Sequence, residues 1–387
     1  MILDKLFHLM AEKGASDIFI SAGAPIQIKI QGSVIPINQQ IVEPATIARM
    51  ADELLTPIQA RHFEEEKEIN LSHGMRDIGN FRINMFWQRG TIGIVVRFIT
   101  SEIPKLEELG LPKLLSSLIM EKRGLVLVSG STGSGKSTTI AAMLDHRNAH
   151  LTGHILTVED PIEYLFRHKK SIVNQREVGL DTRSWADALR NSMRQAPDCI
   201  MIGEIRDKET MLTALAYAQT GHLCLATLHA NNSYHALNRI SNLFPMDNRP
   251  ALFLDLSASL RAIVSQRLVK KPDGMRLPAT EILLNSRHIG ELIEKGEING
   301  IKEAMEQSLA QGSQTFEQDL FRLYRDGIIT LDEALACADS PSNLSWLINN
   351  AKLSPAAETQ AAKTPLPDRN AEGNGGPTFS EFTLNLD

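Results

Sequence analysis

A glycine-rich stretch, "GSTGSGKST" at residues 130–138, constrains the fold of this chain more than any other feature. It fits the pattern G-x-x-x-x-G-K-[ST], follows the apolar run "GLVLVSG" and precedes the helix-like "KSTTIAAMLDHRNA". A strand, a glycine loop and a helix in this order form a phosphate-binding loop, in which backbone N–H groups and the helix N-terminus hold phosphate oxygens. The sequence therefore predicts an α/β domain that binds a nucleoside triphosphate.

Each part of this loop has an expected task. The glycines let the backbone turn tightly, Lys136 is expected to reach the β- and γ-phosphates, and the Ser137 hydroxyl is expected to ligate Mg²⁺. The whole loop supplies the predicted nucleotide-binding residues: Gly130, Ser131, Thr132, Gly133, Ser134, Gly135, Lys136, Ser137 and Thr138. The predicted ligands are ATP and Mg²⁺; the alternative is a flexible Gly/Ser loop that matches by chance.

Acidic residues at the ends of two apolar strands are candidates for the hydrolysis step. "HILTVEDPIEY" offers Glu159, Asp160 and Glu163, and "PDCIMIGEIRD" offers Glu204. Ligands of open parallel sheets bind beyond the carboxyl ends of the strands, so these acids are placed to hold magnesium or orient water. An exposed loop acid is the alternative for each. The usual partner carboxylate is displaced by one position, because Gly203 precedes Glu204.

Two histidines flank the short apolar run of "TGHLCLATLHANNS", which reads as a buried strand. Residues seven apart on one strand lie roughly 23 Å apart and on opposite faces, so His222 and His229 cannot share a metal ion. His229 ends the strand at the edge of Lys136 and Glu204, where it is placed to donate to the γ-phosphate or to sense its loss. His222 starts the strand at the opposite edge, and a capping or packing histidine is its alternative role.

Composition bounds the protein class. The 387 residues are 43% apolar and 22% charged, which is ordinary for a soluble globular chain of two or three domains. A net charge of −6 without a dense Lys/Arg run gives no reason to expect nucleic acid as a partner. The three cysteines are isolated, so a zinc module is excluded and reduced thiols fit the cytosol. Neither a signal peptide nor a membrane span is predicted.

Composition and the pattern of apolar residues along the chain predict four segments. Residues 1–100 read as a small α+β domain, and 101–115 read as a linker with two prolines. Residues 116–353 alternate apolar strands with helices, which is typical of a parallel sheet, and become largely helical from about 250. The tail, 354–387, is rich in Ala, Pro, Gly and polar residues and is expected to be disordered.

Several motifs together resemble the secretion and pilus ATPase superfamily. "ILTVEDPIEY" resembles its Asp box, "RQAPDCIMIGEIRD" its Walker B segment and "TGHLCLATLHANN" its His box. The start, "KGASDIFISAGAPIQIKIQG", resembles the PilT/PilU family of type IV pilus retraction ATPases. The resemblance implies a RecA-like parallel-sheet P-loop ATPase core with a smaller α+β (PAS-like) N-terminal domain and a helical C-terminal segment.

The resemblance also implies residue roles. Glu163 would be the water-activating acid of the Asp box, Glu204 would act through the Walker B site, and His222 and His229 would form the His-box pair. The family's N-terminal hairpin carries arginines that reach a neighbouring subunit's nucleotide. The matching arginines here are Arg82, Arg89 and Arg97. Surface cations paired with local acids are the alternative for these three.

Within the superfamily, the missing tetracysteine module points to the retraction branch. "HIGELIEKGEINGIKEAM" replaces the segment expected of a primary retraction motor, and with "NLSWLINN" it resembles the PilU-like accessory members. This implies a cytoplasmic homohexamer, peripheral at the inner membrane, that assists a PilT-like retraction ATPase through an inner-membrane platform protein. The alternatives are a nucleotide-binding regulatory subunit with little hydrolysis, a nucleic-acid translocase, an assembly motor and a primary motor of the PilT type.

Overall fold

The structure is a computed structural model, and it describes residues 2–75, 78–99, 102–307 and 310–352. The predicted tail at 354–387 lies outside the described residues, as does Ser101 of the predicted linker. The chain forms two compact units. The first contains the described residues up to 102 and residues 163–165, and the second contains residues 103–162 and the described residues from 166 onward.

The first unit is an antiparallel sheet with helices on one face. Its strands, in the order β3-β2-β1-β6-β5-β4, are β1 (Asp17–Ile20), β2 (Pro25–Ile30), β3 (Ser33–Ile41), β4 (Glu68–Met75), β5 (Gly79–Gln88) and β6 (Thr91–Ile99). Its helices are α1 (Ile2–Lys13), α2 (Pro44–Leu54) and α3 (Pro57–Glu66). Alternate residues such as Ile83 and Val96 pack into one core cluster, as expected for a sheet with one covered face.

The second unit is a seven-stranded sheet in the order β13-β12-β7-β11-β10-β8-β9. The strands are β7 (Gly124–Ser129), β8 (Gly153–Glu159), β9 (Ser171–Glu177), β10 (Cys199–Ile202), β11 (Leu223–Leu228), β12 (Leu260–Lys270) and β13 (Arg276–Leu284). All neighbours pair in parallel except β12 and β13.

Helices cover both faces of this sheet. They are α4 (Leu114–Ile119), α5 (Lys136–His150), α6 (Trp185–Ser192), α7 (Lys208–Gln219), α8 (Ser233–Asn242), α9 (Arg249–Ser259), α10 (Arg287–Lys295), α11 (Ile301–Glu306), α12 (Phe316–Arg325), α13 (Leu331–Ala336) and α14 (Pro341–Lys352). On β7, Leu125 and Leu127 pack into one core cluster and Val126 and Val128 into another. Burial on both faces explains the unbroken apolar run of this strand.

Two strands interrupt the helical C-terminal part between α9 and α10. The sequence predicts a largely helical chain from about residue 250, but β12 and β13 occupy most of 260–284. Residues 262–266 of β12 are buried without interruption, so the alternation that marks a half-exposed strand is missing there. Beyond it, α12, α13 and α14 pack with the end of β12 around Phe316 in a cluster of their own. None of the helices among the described residues has the length and apolarity needed to span a bilayer.

Candidate active site

The loop between β7 and α5 depends on glycine at defined positions. Gly130, Gly133 and Gly135 have φ values of 154°, 78° and 87°, which side-chain-bearing residues rarely adopt. A Cβ at Gly130 would lie 2.4 Å from the carbonyl oxygen of Gln266, and one at Gly135 would lie 2.8 Å from its Nε2. The loop therefore packs directly against β12, and glycine alone fits at both contacts.

Lys136 begins α5 and folds back over the loop. Its Nζ donates to the carbonyl oxygens of Gly130 (2.9 Å) and Ser131 (2.8 Å), and the residue is only 8% exposed. The Ser134 hydroxyl is also buried and has no hydrogen-bond partner among the described residues. A buried ammonium and an orphaned hydroxyl in a glycine cradle suit the phosphate oxygens of a nucleotide. Ser137 and Thr138, half-buried, follow in the first turn of the helix.

Gln266 on β12 supports this loop and was missed by the sequence analysis. Its Nε2 donates to the carbonyl oxygen of Ser134 (2.8 Å), and its Oε1 accepts from Thr139 Oγ1 (2.7 Å). The residue is 3% exposed, so both ends of the amide are satisfied inside the protein. The sequence feature that indicates Gln266 is its position as a polar residue inside the apolar run "AIVSQRLV".

The carboxyl ends of four parallel strands meet at the edge that carries the loop. Ile202 on β10 pairs with Val158 on β8 and with Ala226 on β11, and Leu228 pairs with Ser129 at the end of β7. The residues at or just after the ends of these strands therefore lie at one edge of the sheet. They are Gly130, Glu159, Gly203 with Glu204, and His229.

Glu204 and His229 form a pair at this edge. His229 Nε2 lies 3.3 Å from Glu204 Oε1, and Arg206 Nε lies 2.5 Å from Glu204 Oε2. Burial, and next the positive charge of Lys136, lower the pKa of His229 from its ordinary value of 6.5, while Glu204 opposes them. At neutral pH the imidazole is therefore uncharged, and one of its ring nitrogens is free to donate.

Glu159 is held inside the same edge. It is buried, and its Oε1 accepts from Thr157 Oγ1 (2.6 Å) and Gln175 Nε2 (3.2 Å). A Cβ at Gly203 would lie 3.1 Å from Trp185 Cη2 and 3.2 Å from Glu159 Cα. A larger residue at 203 would therefore need Trp185 or the backbone at Glu159 to move by a few tenths of an ångström.

With this geometry in view, comparison with known proteins decides the family. Residues 1–288, about three quarters of the chain, match the family described as "Type II/IV secretion system protein". The chain belongs to that family.

Individual members of the family are close relatives. The chain is 50% identical over 349 residues to the type IV pilus ATPase PilU of Pseudomonas aeruginosa, covering 90% of this chain and 91% of PilU. It is 38% identical over 343 residues to the type IV pilus retraction ATPase PilT of the same organism, covering 89% and 100%. The resemblance to the PilT/PilU family, inferred from the motifs, is confirmed.

A solved structure supports the fold. The crystal structure of the pilus retraction motor PilT with bound ADP superposes with a TM-score of 0.82 at 41% identity, covering 88% of this chain and 98% of that one. The predicted fold class is therefore confirmed: a parallel-sheet ATPase core, an N-terminal α+β domain and a helical C-terminal segment.

The secretion-family motifs also single out His222 and Glu163. His222 precedes β11 at the opposite edge of the sheet, where its Nδ1 lies 3.0 Å from Thr220 Oγ1 and its ring meets Tyr217 edge-on. These contacts fit a packing histidine, and the His-box role of His222 stays a prediction. Glu163 is exposed and groups with the first unit, so its role as the water-activating acid stays a prediction.

The family's hairpin arginines lie on the antiparallel sheet of the first unit. Arg82 on β5 and Arg97 on β6 are cross-strand partners, and Arg89 sits in the turn between these strands. Arg97 Nε donates to Asp17 Oδ1 (2.8 Å), although its side chain is 63% exposed. This is the local ion pair expected of a surface cation, and a role at a neighbour's nucleotide stays a prediction.

Proposed function

We propose that this chain hydrolyses ATP as a motor of a type IV pilus retraction machine, in the accessory role of a PilU-like ATPase. The observation that carries the proposal is the Glu204–His229 pair at the strand edge that also bears the Lys136 loop. A phosphate grip alone binds nucleotide, whereas a carboxylate and a neutral imidazole beside it supply groups for hydrolysis. The identity to PilU supports the pilus assignment.

ATP suits the loop at residues 130–138. The loop N–H groups would hold the phosphates, and Lys136 would exchange its two carbonyl bonds for β- and γ-phosphate oxygens. Ser137 and Glu204 would hold Mg²⁺, which neutralises charge on the phosphates when it is bound. Thr138 lies in the same helical turn and would support the loop.

The acids divide the hydrolysis step between them. Glu163 would accept the proton of the attacking water, as the family's Asp box implies, while Glu204 orients the groups around the γ-phosphate. His229 Nε2 lies 3.3 Å from Glu204 Oε1, and a γ-phosphate oxygen would compete with this carboxylate for the imidazole N–H. The imidazole would thereby sense whether the γ-phosphate is present, and Glu159 would keep the edge rigid through Thr157 and Gln175.

The working unit would be a homohexamer on the cytoplasmic side of the inner membrane. Arg82 and Arg97 would then approach a neighbour's nucleotide, where a cation stabilises transition-state charge. The differential binding of ATP and ADP would drive the domain motion. Through an inner-membrane platform protein this motion would assist a PilT-like ATPase in withdrawing the pilus.

Phosphate release by the purified chain tests the enzyme assignment. We expect Lys136→Ala and Glu204→Gln each to lower kcat by about a hundred-fold or more, because each removes preorganised charge at the phosphates. Lys169→Ala is the matched control, since that lysine pairs with Asp145 (2.6 Å) on the protein surface. Equal rates for the parent and Lys136→Ala would make the chain a nucleotide-binding regulatory subunit.

Retraction force in cells tests the pilus assignment. We expect cells lacking this chain to keep their pili and to retract them with reduced force, and cells lacking the PilT-like partner to lose retraction. Loss of the pili themselves on deleting this chain would identify an assembly motor instead.

A further inference from the structure

The loop that follows His229 is anchored to the C-terminal helices. The carbonyl oxygen of Asn231 accepts a hydrogen bond from Arg267 Nη2 (3.2 Å), and Asn232 Nδ2 donates to Asp339 Oδ2 (2.8 Å). Arg267 lies on β12, and Asp339 lies between α13 and α14. The chain just beyond the site histidine is therefore tied to a segment more than a hundred residues away in sequence.

Arg267 is the centre of this network. Its Nη2 also donates to Asp339 Oδ1 (2.7 Å), its Nη1 donates to the carbonyl oxygen of Cys337, and its guanidinium lies 3.6 Å from the centre of the Phe316 ring. The side chains of Arg267 and Asp339 are each 21% exposed. A planar guanidinium makes all these contacts at once in a fixed geometry, which a lysine ammonium cannot reproduce.

The next residue along the loop is fixed as well. The backbone N–H of Ser233 donates to Glu281 Oε1 (2.7 Å), and Ser233 Oγ lies 3.4 Å from Ser265 Oγ. Ser265 in turn accepts from Ser129 Oγ (2.8 Å), at the end of the strand that leads into the phosphate loop. Three consecutive residues, 231–233, are thus held in place two positions after His229.

We propose that Arg267, together with Asp339, is a positioning residue that keeps His229 close to Glu204, so that the segment between α13 and α14 supports the ATPase site. This inference rests on the proposed function. His229 Nε2 lies 3.3 Å from Glu204 Oε1. A shift of about 1 Å in the loop would break that contact, and displacements of this size can lower a rate by about a hundred-fold.

Steady-state hydrolysis by the full chain tests this role. Arg267→Lys keeps the positive charge but removes the planar guanidinium. We expect it to lower kcat by about ten-fold. KM for ATP should stay within about two-fold of the parent value, since the phosphate loop is unchanged. The matched control is Arg322→Lys, because Arg322 forks onto Asp319 (3.0 and 2.7 Å) in α12 without touching the loop. Its kcat should equal that of the parent.

A second background separates positioning from general support. In a His229→Gln chain, Arg267→Lys should have no further effect on kcat, because the group that it positions is already gone. Equal fold-losses in the two backgrounds, or a parent-like kcat for Arg267→Lys, would overturn the inference. Lys136→Ala shows which of the two proposals has failed. If Lys136→Ala abolishes hydrolysis and Arg267→Lys hydrolyses like the parent, only the positioning role is wrong. If the Lys136→Ala chain hydrolyses ATP like the parent, the proposed function is wrong.

Discussion

The two sheets of this molecule distribute their polar side chains in opposite ways. On β7 of the parallel sheet all six residues are buried, whereas on β5 of the antiparallel sheet buried residues alternate with exposed or half-buried ones. Among the described residues of the first unit, the buried polar side chains are Asp17 and Thr46. In the second unit they are far more numerous, and many of them lie at strand ends around the phosphate loop.

This difference between the two sheets shows in which of them a buried polar residue indicates a functional site. A parallel sheet covered on both faces has no open surface, so a polar group there must find a partner inside the protein or in a ligand. The antiparallel sheet instead carries a row of charges across its strands, in which Arg97 lies between Asp17 and Arg82 in register. The buried Asp17 of this row pairs with Arg97 (2.8 Å) and lies 3.9 Å from Lys29 Nζ, so its burial alone identifies no site in the first unit.

The largest expected contrast concerns glycines. Gly130→Ala should weaken ADP binding by about a hundred-fold or more, because its Cβ would collide with the backbone of Gln266 at 2.4 Å and displace the loop amides. Gly32→Ala, in the β2–β3 turn, has a φ of 87° but nothing within 4 Å, so it should cost only about 1–2 kcal/mol of stability.

Titration of both variants with a fluorescent ADP analogue, alongside thermal unfolding, measures this contrast. The Gly32→Ala chain should bind ADP as the parent does. Unchanged ADP affinity in Gly130→Ala would mean that the contact with β12 does not shape the loop.

The next contrast compares neighbouring residues on one strand. On β7, Leu127→Ala and Val128→Ala should each cost about 2–4 kcal/mol, since each side chain is buried in a different core cluster. On β5, Ile83→Ala should cost a similar amount, but Asn84→Ala should stay within about 0.5 kcal/mol, because that side chain bonds only exposed Asn70.

Urea denaturation of the four variants, followed by circular dichroism, measures these differences. A small loss for Val128→Ala would show that one face of the parallel sheet is open. A large loss for Asn84→Ala would show that the outer face of the antiparallel sheet is covered.

The smallest expected effect is a dependence on pH. Because the folded-state pKa of His229 lies below 6.5, the unfolded chain binds more protons as the pH falls. The stability contributed by neutral His229 is therefore complete above pH 6.5 and is lost as the pH falls through the folded-state pKa. Relative to His229→Gln, the Tm of the parent should drop by roughly 1–3 °C between pH 7.5 and 5.5.

Lys136→Ala is the control for this measurement. Removing the ammonium takes away the second cause of the lowered pKa, so the same comparison in that background should give a smaller drop. An equal drop in Tm would show that the charge of Lys136 does not affect the pKa of His229. That result would contradict the placement of both residues at one site.

Sequence alone predicts the parts of the site that depend on local spacing. The loop at 130–138, the apolar parallel strands and the separation of His222 from His229 follow from patterns within about ten residues. The contacts that complete the site join distant segments: Gln266 reaches Ser134 across 132 positions, and Arg267 reaches Asp339 across 72. No periodicity predicts such pairs, and the unbroken burial of residues 262–266 removed the alternation that would have indicated the strand β12.

The alternation along β12 has an evolutionary consequence. Gln266 faces the phosphate loop and Arg267, its neighbour, faces the C-terminal helices. One inserted or deleted codon upstream in this strand would exchange the two faces, pointing the guanidinium at the nucleotide loop and the amide at Phe316. Gene variants in this stretch should therefore tolerate substitutions of similar chemistry far better than any change of length.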